Sequence, residues 1–295
     1  MTWKNTWMTA AVAALLTSLT ACSEKTEDSP TAPTPPGGST AVSFAAVGAS
    51  DGIGYGSSSP CLLFADCPEG MGYVQGTVRR LRAQGRTVDI VNLSIPGAVL
   101  SREFEDLGNS LGRGIPGNFL EREMPFVPRG ATVVTVFAGG NDANTVGSAV
   151  RAGLGGADPR AYIDARVRNF GNDLSALVSG VRTRAPQARV VLLNLPNLAG
   201  LPYVATFPVV ERSVLQRIAV GFSAQANALA SSNVLVIDLM CDPRSYVPGN
   251  YFSDGFHPND AGYAYITELV YTATSSGAAA APRASCAQMT IVPTL

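Results

Sequence analysis

Three side chains in this sequence could together perform nucleophilic catalysis. Ser50 lies in the glycine-rich stretch FAAVGASDGIGYG (44–56), His257 is the only histidine in the chain, and Asp254 precedes it by three residues. A serine hydroxyl becomes a good nucleophile when an imidazole takes its proton, and a carboxylate on the other ring nitrogen fixes the imidazole tautomer. If the chain is a serine hydrolase, His257 must therefore be its general base.

The hydrophobic pattern predicts the elements that would position these side chains. Apolar runs typical of buried parallel strands cover residues 41–47, 87–93, 131–138, 189–195 and 234–239. Helical periodicity covers residues 73–83, 163–181 and 210–229, and a last helix with Pro258 in its first turn reaches about Thr272. Alternating strands and helices predict one doubly wound α/β domain, with a five-stranded parallel sheet between two helical layers.

Polar residues and glycines follow the predicted strands. Ser50 comes after the first strand, Gly97 after the second and Asn141 after the third, while Asp254 and His257 come after the fifth. In a parallel sheet the carboxyl ends of the strands meet at one edge, where ligands bind. We therefore expect these five residues to converge on one site.

The glycine-rich stretch also permits a nucleotide-binding interpretation. Gly48, Gly52 and Gly54 have the G-x-x-x-G-x-G spacing of a short-chain dehydrogenase loop. Such enzymes also need a Tyr-x-x-x-Lys motif, and the only lysines here are Lys4 and Lys25, at the N-terminus. Glycine spacing alone is weak evidence, so the sequence disfavours this interpretation.

The nucleophile elbow of α/β-hydrolases is a second alternative. Gly48, Ser50 and Gly52 match its G-x-S-x-G pattern, and the order Ser, Asp, His matches as well. In that fold, however, the nucleophile follows several strands, whereas Ser50 ends the first predicted strand. The acid would also lie three residues from the base rather than on a separate loop.

The order of four sequence blocks resembles the SGNH (GDSL-type) serine hydrolases over nearly the whole predicted domain. The blocks are VGASDG with Ser50, NLSIPGA with Gly97, GGND with Asn141, and DGFHP with Asp254 and His257. The resemblance implies the flavodoxin-like SGNH fold, Ser50 as nucleophile, His257 as base and Asp254 as its orienting acid. It also implies an oxyanion hole formed by the backbone N–H groups of Ser50 and Gly97 and the side-chain amide of Asn141.

One residue departs from the family pattern. The family usually has aspartate immediately before the serine, and this chain has Ala49 there, with Asp51 on the other side. That aspartate is generally structural, so the change removes no chemical participant. Asp142, the last residue of the GGND block, is expected to brace its loop rather than to react.

The expected function is that of an extracytoplasmic serine esterase or lipase acting on small-molecule or lipid esters through an acyl-serine intermediate. No metal or organic cofactor is required. Leu201, Tyr203 and Phe207 would offer apolar surface to an acyl chain, and long loops at 100–128 and 145–160 would shape the pocket. A polysaccharide O-acetyl esterase remains an alternative, because fold does not decide substrate. A tethered binding lipoprotein without activity is the non-enzyme alternative.

The N-terminus has the features of an export signal. Residues 1–22 combine Lys4 with an apolar run that is too short for a membrane span and ends in LTAC, which resembles a lipoprotein lipobox. We expect lipidation at Cys22 and attachment to a membrane of the cell envelope; cleavage without lipid, giving a secreted protein, is the alternative. Residues 23–40 are predicted to be a disordered tether, 41–273 the hydrolase domain and 274–295 an irregular tail.

The remaining cysteines favour disulfides. Apart from Cys22 they are four, an even number that suits an oxidising compartment and allows three pairings. We favour Cys61–Cys67, which closes a short loop, and Cys241–Cys286, which ties the tail. Their spacing does not suit zinc. The formal net charge of −1 gives no indication of a nucleic-acid partner.

Overall fold

The structure, a computed structural model, describes residues 41–62 and 65–295. The predicted signal segment 1–22, with its lipidation site Cys22, and the tether 23–40 lie outside the described residues. Among the residues that are described, none of the helices combines the length and the apolar character needed to cross a membrane.

The described residues form a five-stranded parallel sheet in the order β2-β1-β3-β4-β5. The strands are β1 (Ala41–Gly48), β2 (Thr87–Asn92), β3 (Val133–Phe137), β4 (Arg189–Leu193) and β5 (Val234–Ile237). The last residues of β1, β3, β4 and β5 stand opposite one another, so the strands end level. The predicted α/β fold with five parallel strands is confirmed. From β1 the chain adds β2 on one side and β3 to β5 on the other, and folds of this kind bind ligands at the switch point between β1 and β3.

Helices cover both faces of the sheet. They are α1 (Tyr73–Ala83), α2 (Arg102–Ser110), α3 (Phe119–Arg122), α4 (Gly140–Arg151), α5 (Pro159–Arg184), α6 (Val209–Asn227) and α7 (Asp260–Ser276). The buried side chains of α1 and α7 share one apolar cluster with the sheet, and those of α2, α4, α5 and α6 share the other. The sheet is therefore the middle of three layers.

Alternation along the strands explains the two clusters. In β4, Val190 and Leu192 pack in the larger cluster, whereas Val191 and Leu193 pack in the smaller one. Successive strand residues point to opposite faces, so a strand that is covered on both sides must be apolar throughout. This is the reason that continuous apolar runs predicted the strands correctly.

The expectation of long loops at 100–128 and 145–160 is wrong. These segments contain α2, α3, the second half of α4 and the start of α5. Gly147 lies inside α4, where glycine disfavours a helix, but a Cβ at this position would lie 2.9 Å from a methyl group of Leu215 on α6. Close packing between α4 and α6 thus stabilises a helix that local propensity does not indicate.

The bounds of the last helix also differ from expectation. Pro258 precedes the helix, and Asn259 caps it by accepting hydrogen bonds from the N–H groups of Ala261 and Gly262. The helix continues to Ser276 rather than ending at about Thr272, and Gly277 stops it in a left-handed conformation.

Two disulfides connect the favoured cysteine pairs, Cys61–Cys67 and Cys241–Cys286. The tail beyond α7 is held by hydrogen bonds as well. Gln216 of α6 donates to the Val292 carbonyl oxygen and accepts from the Val292 N–H, and the Asn197 amide donates to the Gln288 carbonyl oxygen. The C-terminal segment therefore packs on the domain instead of extending from it.

Loss of the Cys241–Cys286 disulfide is expected to lower the free energy of unfolding by about 3–4 kcal/mol, and Tm by roughly 10 °C. The reason is that the bridge closes a loop between residues 45 apart, which restricts the unfolded chain. Thermal unfolding of a Cys241→Ser/Cys286→Ser variant, followed by circular dichroism, measures the change. The matched control is Cys61→Ser/Cys67→Ser, whose separation of six residues predicts a smaller loss of about 2 kcal/mol. Equal Tm values for both variants would contradict the loop-length argument.

Candidate active site

Ser50, His257 and Asp254 form one hydrogen-bonded chain in the structure. Ser50 Oγ lies 2.8 Å from His257 Nε2, and His257 Nδ1 lies 2.7 Å from Asp254 Oδ2. Ser50 follows β1, and the other two residues lie in the loop that precedes α7. The level strand ends thus bring together residues that are 207 positions apart in the sequence.

The loop that carries His257 is organised by Asp254. Its Oδ1 atom accepts hydrogen bonds from the backbone N–H groups of Phe256 and His257, at 2.9 and 3.0 Å, while Oδ2 faces the imidazole. Partial burial opposes ionisation, but the hydrogen bonds from the His257 ring and from the two backbone groups dominate and lower the pKa of Asp254. Asp254 is therefore an anion that can hold the proton on His257 Nδ1.

Aromatic rings fix the position of the imidazole. The ring centroid of Tyr55 lies 4.7 Å from that of His257, and the centroid of Phe256 lies 5.0 Å away, both in edge-on geometry. Gly56, at φ +91°, packs directly against His257 and Pro258. A Cβ at this position would lie 2.7 Å from the Pro258 carbonyl oxygen. No sequence pattern indicates that Tyr55 touches His257, because a tyrosine beside a glycine-rich turn belongs to no motif.

The predicted oxyanion-hole groups have unoccupied donors. Within the described part of the chain, the backbone N–H groups of Ser50 and Gly97 donate to no protein acceptor. Gly97 has φ +83°, a conformation that favours glycine. The Asn141 amide donates one hydrogen to the Ala98 carbonyl oxygen at 2.9 Å, and its second hydrogen remains for a ligand. These groups could stabilise an oxyanion that forms next to Ser50.

An apolar cleft adjoins Ser50 and Asn141. Leu201 is buried and lines this cleft. Further lining residues that the sequence did not single out are Phe119, Leu195, Leu198, Tyr251 and Phe256. Tyr203 and Phe207, predicted as part of the same pocket, instead line a neighbouring groove. The structure therefore divides the three predicted pocket residues between two depressions.

Comparison with known proteins decides the family. A model of the GDSL-like Lipase/Acylhydrolase family matches residues 46–265, about three quarters of the chain. This chain belongs to that family. The family places it among the ester hydrolases.

Two solved structures are similar to the GDSL-like chain. The lipase Lip_vut3 from a goat rumen metagenome is 19% identical, with 81% of this chain and 98% of that chain covered and a TM-score of 0.53. An extracellular lipase from Streptomyces rimosus is 18% identical, with 79% and 99% covered and a TM-score of 0.52. At these identities the likeness shows a shared fold. A search of curated protein sequences gives no significant match.

Ala49, the departure from the usual GDSL pattern, lies in an apolar environment. Its exposed fraction is 7%, and it packs in the larger apolar cluster at the carboxyl end of β1. An aspartate here would bring a carboxylate into this cluster. The alanine is thus compatible with its surroundings, and the chain of hydrogen bonds from Ser50 to Asp254 forms without the usual aspartate.

Glu123 is a buried residue that the sequence analysis missed. Its Oε2 accepts a hydrogen bond from the Gly48 N–H at 2.8 Å, and its Oε1 accepts a weaker one from the Ile95 N–H at 3.4 Å. One carboxyl group thereby joins the loop that carries Ser50 to the loop that carries Gly97. Burial raises the pKa of Glu123 well above its ordinary value. A single glutamate in a segment predicted as a loop offers no sequence signal for this contact.

Asp142 holds two segments of the site together. Its Oδ1 accepts a hydrogen bond from the Leu100 N–H at 2.8 Å, and Oδ2 is buried without a partner in the described part of the chain. This contact ties the start of α4, next to Asn141, to the loop after Gly97. Burial raises the pKa of Asp142 to about 7. Asp142 thus braces the loop beside Asn141, as expected from its place in the GGND block.

The raised pKa of Asp142 predicts a pH dependence of stability. The folded protein binds this proton more tightly than the unfolded chain does, so the free energy of unfolding falls as the pH rises from about 4 to about 7. Asp142→Asn keeps the acceptor for Leu100 but cannot ionise. We expect it to flatten this dependence by up to about 3–4 kcal/mol.

Urea unfolding at pH 4.5 and pH 8 measures the effect of Asp142→Asn. The control is Asp106→Asn, which removes an exposed carboxylate from α2. We expect the control to keep the wild-type difference between the two pH values. The same difference in Asp142→Asn as in the wild type would show that Asp142 ionises in the folded protein as it does in the unfolded chain.

Proposed function

We propose that this protein is an extracytoplasmic serine esterase that hydrolyses carboxylic esters through an acyl-serine intermediate. The observation that carries the proposal is the continuous hydrogen-bonded chain from Ser50 through His257 to Asp254 beside an apolar cleft. Membership of the GDSL-like family supports an ester as the substrate.

The proposed reaction begins with attack of Ser50 Oγ on the ester carbonyl carbon. His257 Nε2 takes the hydroxyl proton, and Asp254 stabilises the imidazolium that results. The tetrahedral intermediate collapses when the carbon–oxygen bond to the alcohol breaks, and His257 gives its proton to the departing alcohol. Water then attacks the acyl-serine with His257 as base, and the acid product and free Ser50 are released.

Charge on the carbonyl oxygen is stabilised by the N–H groups of Ser50 and Gly97 and by the free amide hydrogen of Asn141. We propose these groups because each has a donor hydrogen with no protein acceptor among the described residues. A donor that already had an acceptor would have to break that hydrogen bond before it could bind the oxyanion. Each such donor contributes on the order of 100- to 1,000-fold to turnover in enzymes of this kind. Glu123 is a positioning residue in this scheme, because it acts through the loops that hold two of the donors.

The apolar cleft favours an acyl chain as the group beside Ser50. Leu195, Leu198 and Leu201 contribute aliphatic side chains, and Phe256 adds an aromatic face. Burial of such surface by a ligand is favourable by roughly 25 cal/mol per Å². We therefore propose a lipase or short-chain esterase. The substrate panel described below distinguishes it from a polysaccharide O-acetyl esterase and from a binding lipoprotein without activity.

Export is part of the proposal. Two disulfides suit an oxidising compartment, and the LTAC sequence before residue 23 supports cleavage and lipidation at Cys22. We propose a lipoprotein held in the cell envelope, and a secreted protein if cleavage occurs without lipid. Mass spectrometry of the mature N-terminus distinguishes the two, because only the first carries acyl chains on Cys22.

The test of the proposed activity is a substrate panel combined with covalent labelling. The panel consists of p-nitrophenyl esters of increasing chain length and acetylated sugars, and a serine-reactive phosphonate labels the nucleophile. We expect ester hydrolysis and a labelled peptide that contains Ser50, with labelling retained in the control Ser57→Ala from the same loop. Activity confined to acetyl groups on sugars would favour the carbohydrate esterase. An inactive protein that no phosphonate labels would contradict the hydrolase and favour the binding lipoprotein.

A further inference from the structure

A second groove lies beside the apolar cleft and carries an excess of positive charge. We call it the arginine groove and define it by Arg113, Asn144, Ser148, Arg151, Tyr203 and Phe207. Val214 and Leu215 of α6 form its apolar floor, and its volume is about 320 Å³. None of these residues takes part in the proposed reaction at Ser50.

Helix α4 connects the arginine groove to the cleft. Asn141, Asn144, Ser148 and Arg151 are spaced at three, four and three residues, which places them on one face of the helix. At a rise of 1.5 Å per residue, Ser148 lies about 10 Å and Arg151 about 15 Å along the axis from Asn141. The direction from the oxyanion site along this face therefore leads to the groove, past Asn144.

Aromatic side chains form the boundary between the two depressions. The Tyr203 ring lies 5.1 Å from the ring of Phe256, which lines the cleft and contacts His257. On its other side, the Tyr203 hydroxyl donates to Asn144 Oδ1 at 3.0 Å. Tyr203 thus lies between the cleft and the groove.

Arg113 is a cation whose electrostatic partner among the described residues, the carboxyl group of Asp142, lies beyond ion-pair distance. Its nearest polar contact is a long one, 3.4 Å from Nη1 to Ser148 Oγ, and it forms no ion pair with any carboxylate among the described residues. Arg113 is exposed at the groove surface, and partial burial of its guanidinium lowers its pKa against the opposing effect of Asp142. A ligand anion would supply the missing partner.

Arg151 adds a second guanidinium, which is paired with Glu211. Its Nη2 lies 2.5 Å from Glu211 Oε2 at the rim, and its guanidinium carbon lies 5.4 Å from the centre of the Phe207 ring. Two guanidinium groups and one carboxylate leave the groove with a net charge of +1. The protein as a whole carries −1, so this charge is local.

We propose that the arginine groove binds a carboxylate or phosphate carried by one arm of the ester substrate, about 10 Å from the scissile carbonyl. The apolar floor contacts the methylene chain between the two groups, and Arg113 binds the anion through charge-assisted hydrogen bonds. The inference rests on the proposed cleavage at Ser50 and adds to it the substrate class, an anionic amphiphilic ester.

Matched p-nitrophenyl esters test the proposal in the whole protein. One is the p-nitrophenyl hemiester of decanedioic acid, whose chain spans roughly 10 Å, and the other is its neutral methyl ester. A second pair carries a terminal phosphate monoester or its dimethyl ester. We expect the wild type to prefer each anionic ester by about tenfold in kcat/KM, through KM, because a hydrogen bond to a charged group typically contributes this much. The ratio should fall with added salt.

Variants assign the preference to the groove. Arg113→Ala is expected to abolish the anionic-to-neutral ratio, and Glu211→Gln to raise it by releasing Arg151. The control Arg129→Ala removes an exposed arginine that precedes β3, at the amino end of the sheet, and should keep the wild-type ratio. A wild-type ratio near one, or an unchanged ratio in Arg113→Ala, would overturn the proposal.

Binding without turnover separates this inference from the proposed function. Calorimetric titration of the Ser50→Ala protein with monomethyl decanedioate should show binding that Arg113→Ala weakens about tenfold. If no ester is hydrolysed and this binding is present, the proposed catalysis fails and the groove stands. If neutral esters are hydrolysed and the monoanion does not bind, the groove assignment is wrong and the esterase stands.

Discussion

Replacement of either Ser50 or His257 by alanine is expected to lower kcat by about 10,000-fold or more. Ser50→Ala removes the nucleophile, and His257→Ala removes the only imidazole that can take its proton. The two residues act as a unit through the 2.8 Å contact between Ser50 Oγ and His257 Nε2. The kcat of the double variant should therefore lie within about tenfold of the kcat of either single variant.

Hydrolysis of a p-nitrophenyl ester at saturating concentration measures these changes. Far-ultraviolet circular dichroism and Tm establish that each variant remains folded. The control is Ser57→Ala, which changes another serine of the same loop and should keep wild-type kcat. Residual activity above about one hundredth of the wild type in folded Ser50→Ala would contradict its role as nucleophile.

Asp254→Asn is expected to lower kcat by roughly 1,000- to 10,000-fold. Asp254 Oδ1 holds two backbone N–H groups and Oδ2 receives the imidazole N–H, so the carboxylate satisfies three donors at once. If the amide oxygen keeps the backbone contacts, the amide nitrogen faces His257 Nδ1 and favours the wrong tautomer. Comparable changes in triads reduce turnover by about 10,000-fold. The imidazolium would also lose its stabilising anion.

A KM-against-kcat comparison distinguishes this role from a merely structural one. Loss of orientation should appear in kcat with little change in KM, whereas collapse of the loop should raise KM and lower Tm. The control Asp89→Asn removes an exposed carboxylate from β2 and should leave both constants unchanged. A wild-type kcat in folded Asp254→Asn would show that Asp254 does not orient His257.

Much of the fold follows from local sequence patterns. A strand buried on both faces must be apolar throughout, so β1 to β5 were predicted within two residues at each end. Residues that follow parallel strands must meet at one edge, and this rule predicted the meeting of Ser50, Asn141 and His257. The cysteine count allowed three pairings, of which the favoured one is present. Lipidation at Cys22 stays a prediction.

The sequence by itself thus determined the layer architecture and the residues that form the hydrogen-bonded chain, because both depend on periodicity and on the order of strand ends. Only the tertiary structure decided what surrounds them. Glu123 contacts Gly48 across 75 residues, and α4 is stabilised at Gly147 by Leu215 of a distant helix. The separation of Leu201 from Tyr203 likewise arises because the Tyr203 ring packs on Phe256. Such contacts join side chains that are distant in sequence, so no local pattern encodes them, and they set the shape and charge of the two depressions.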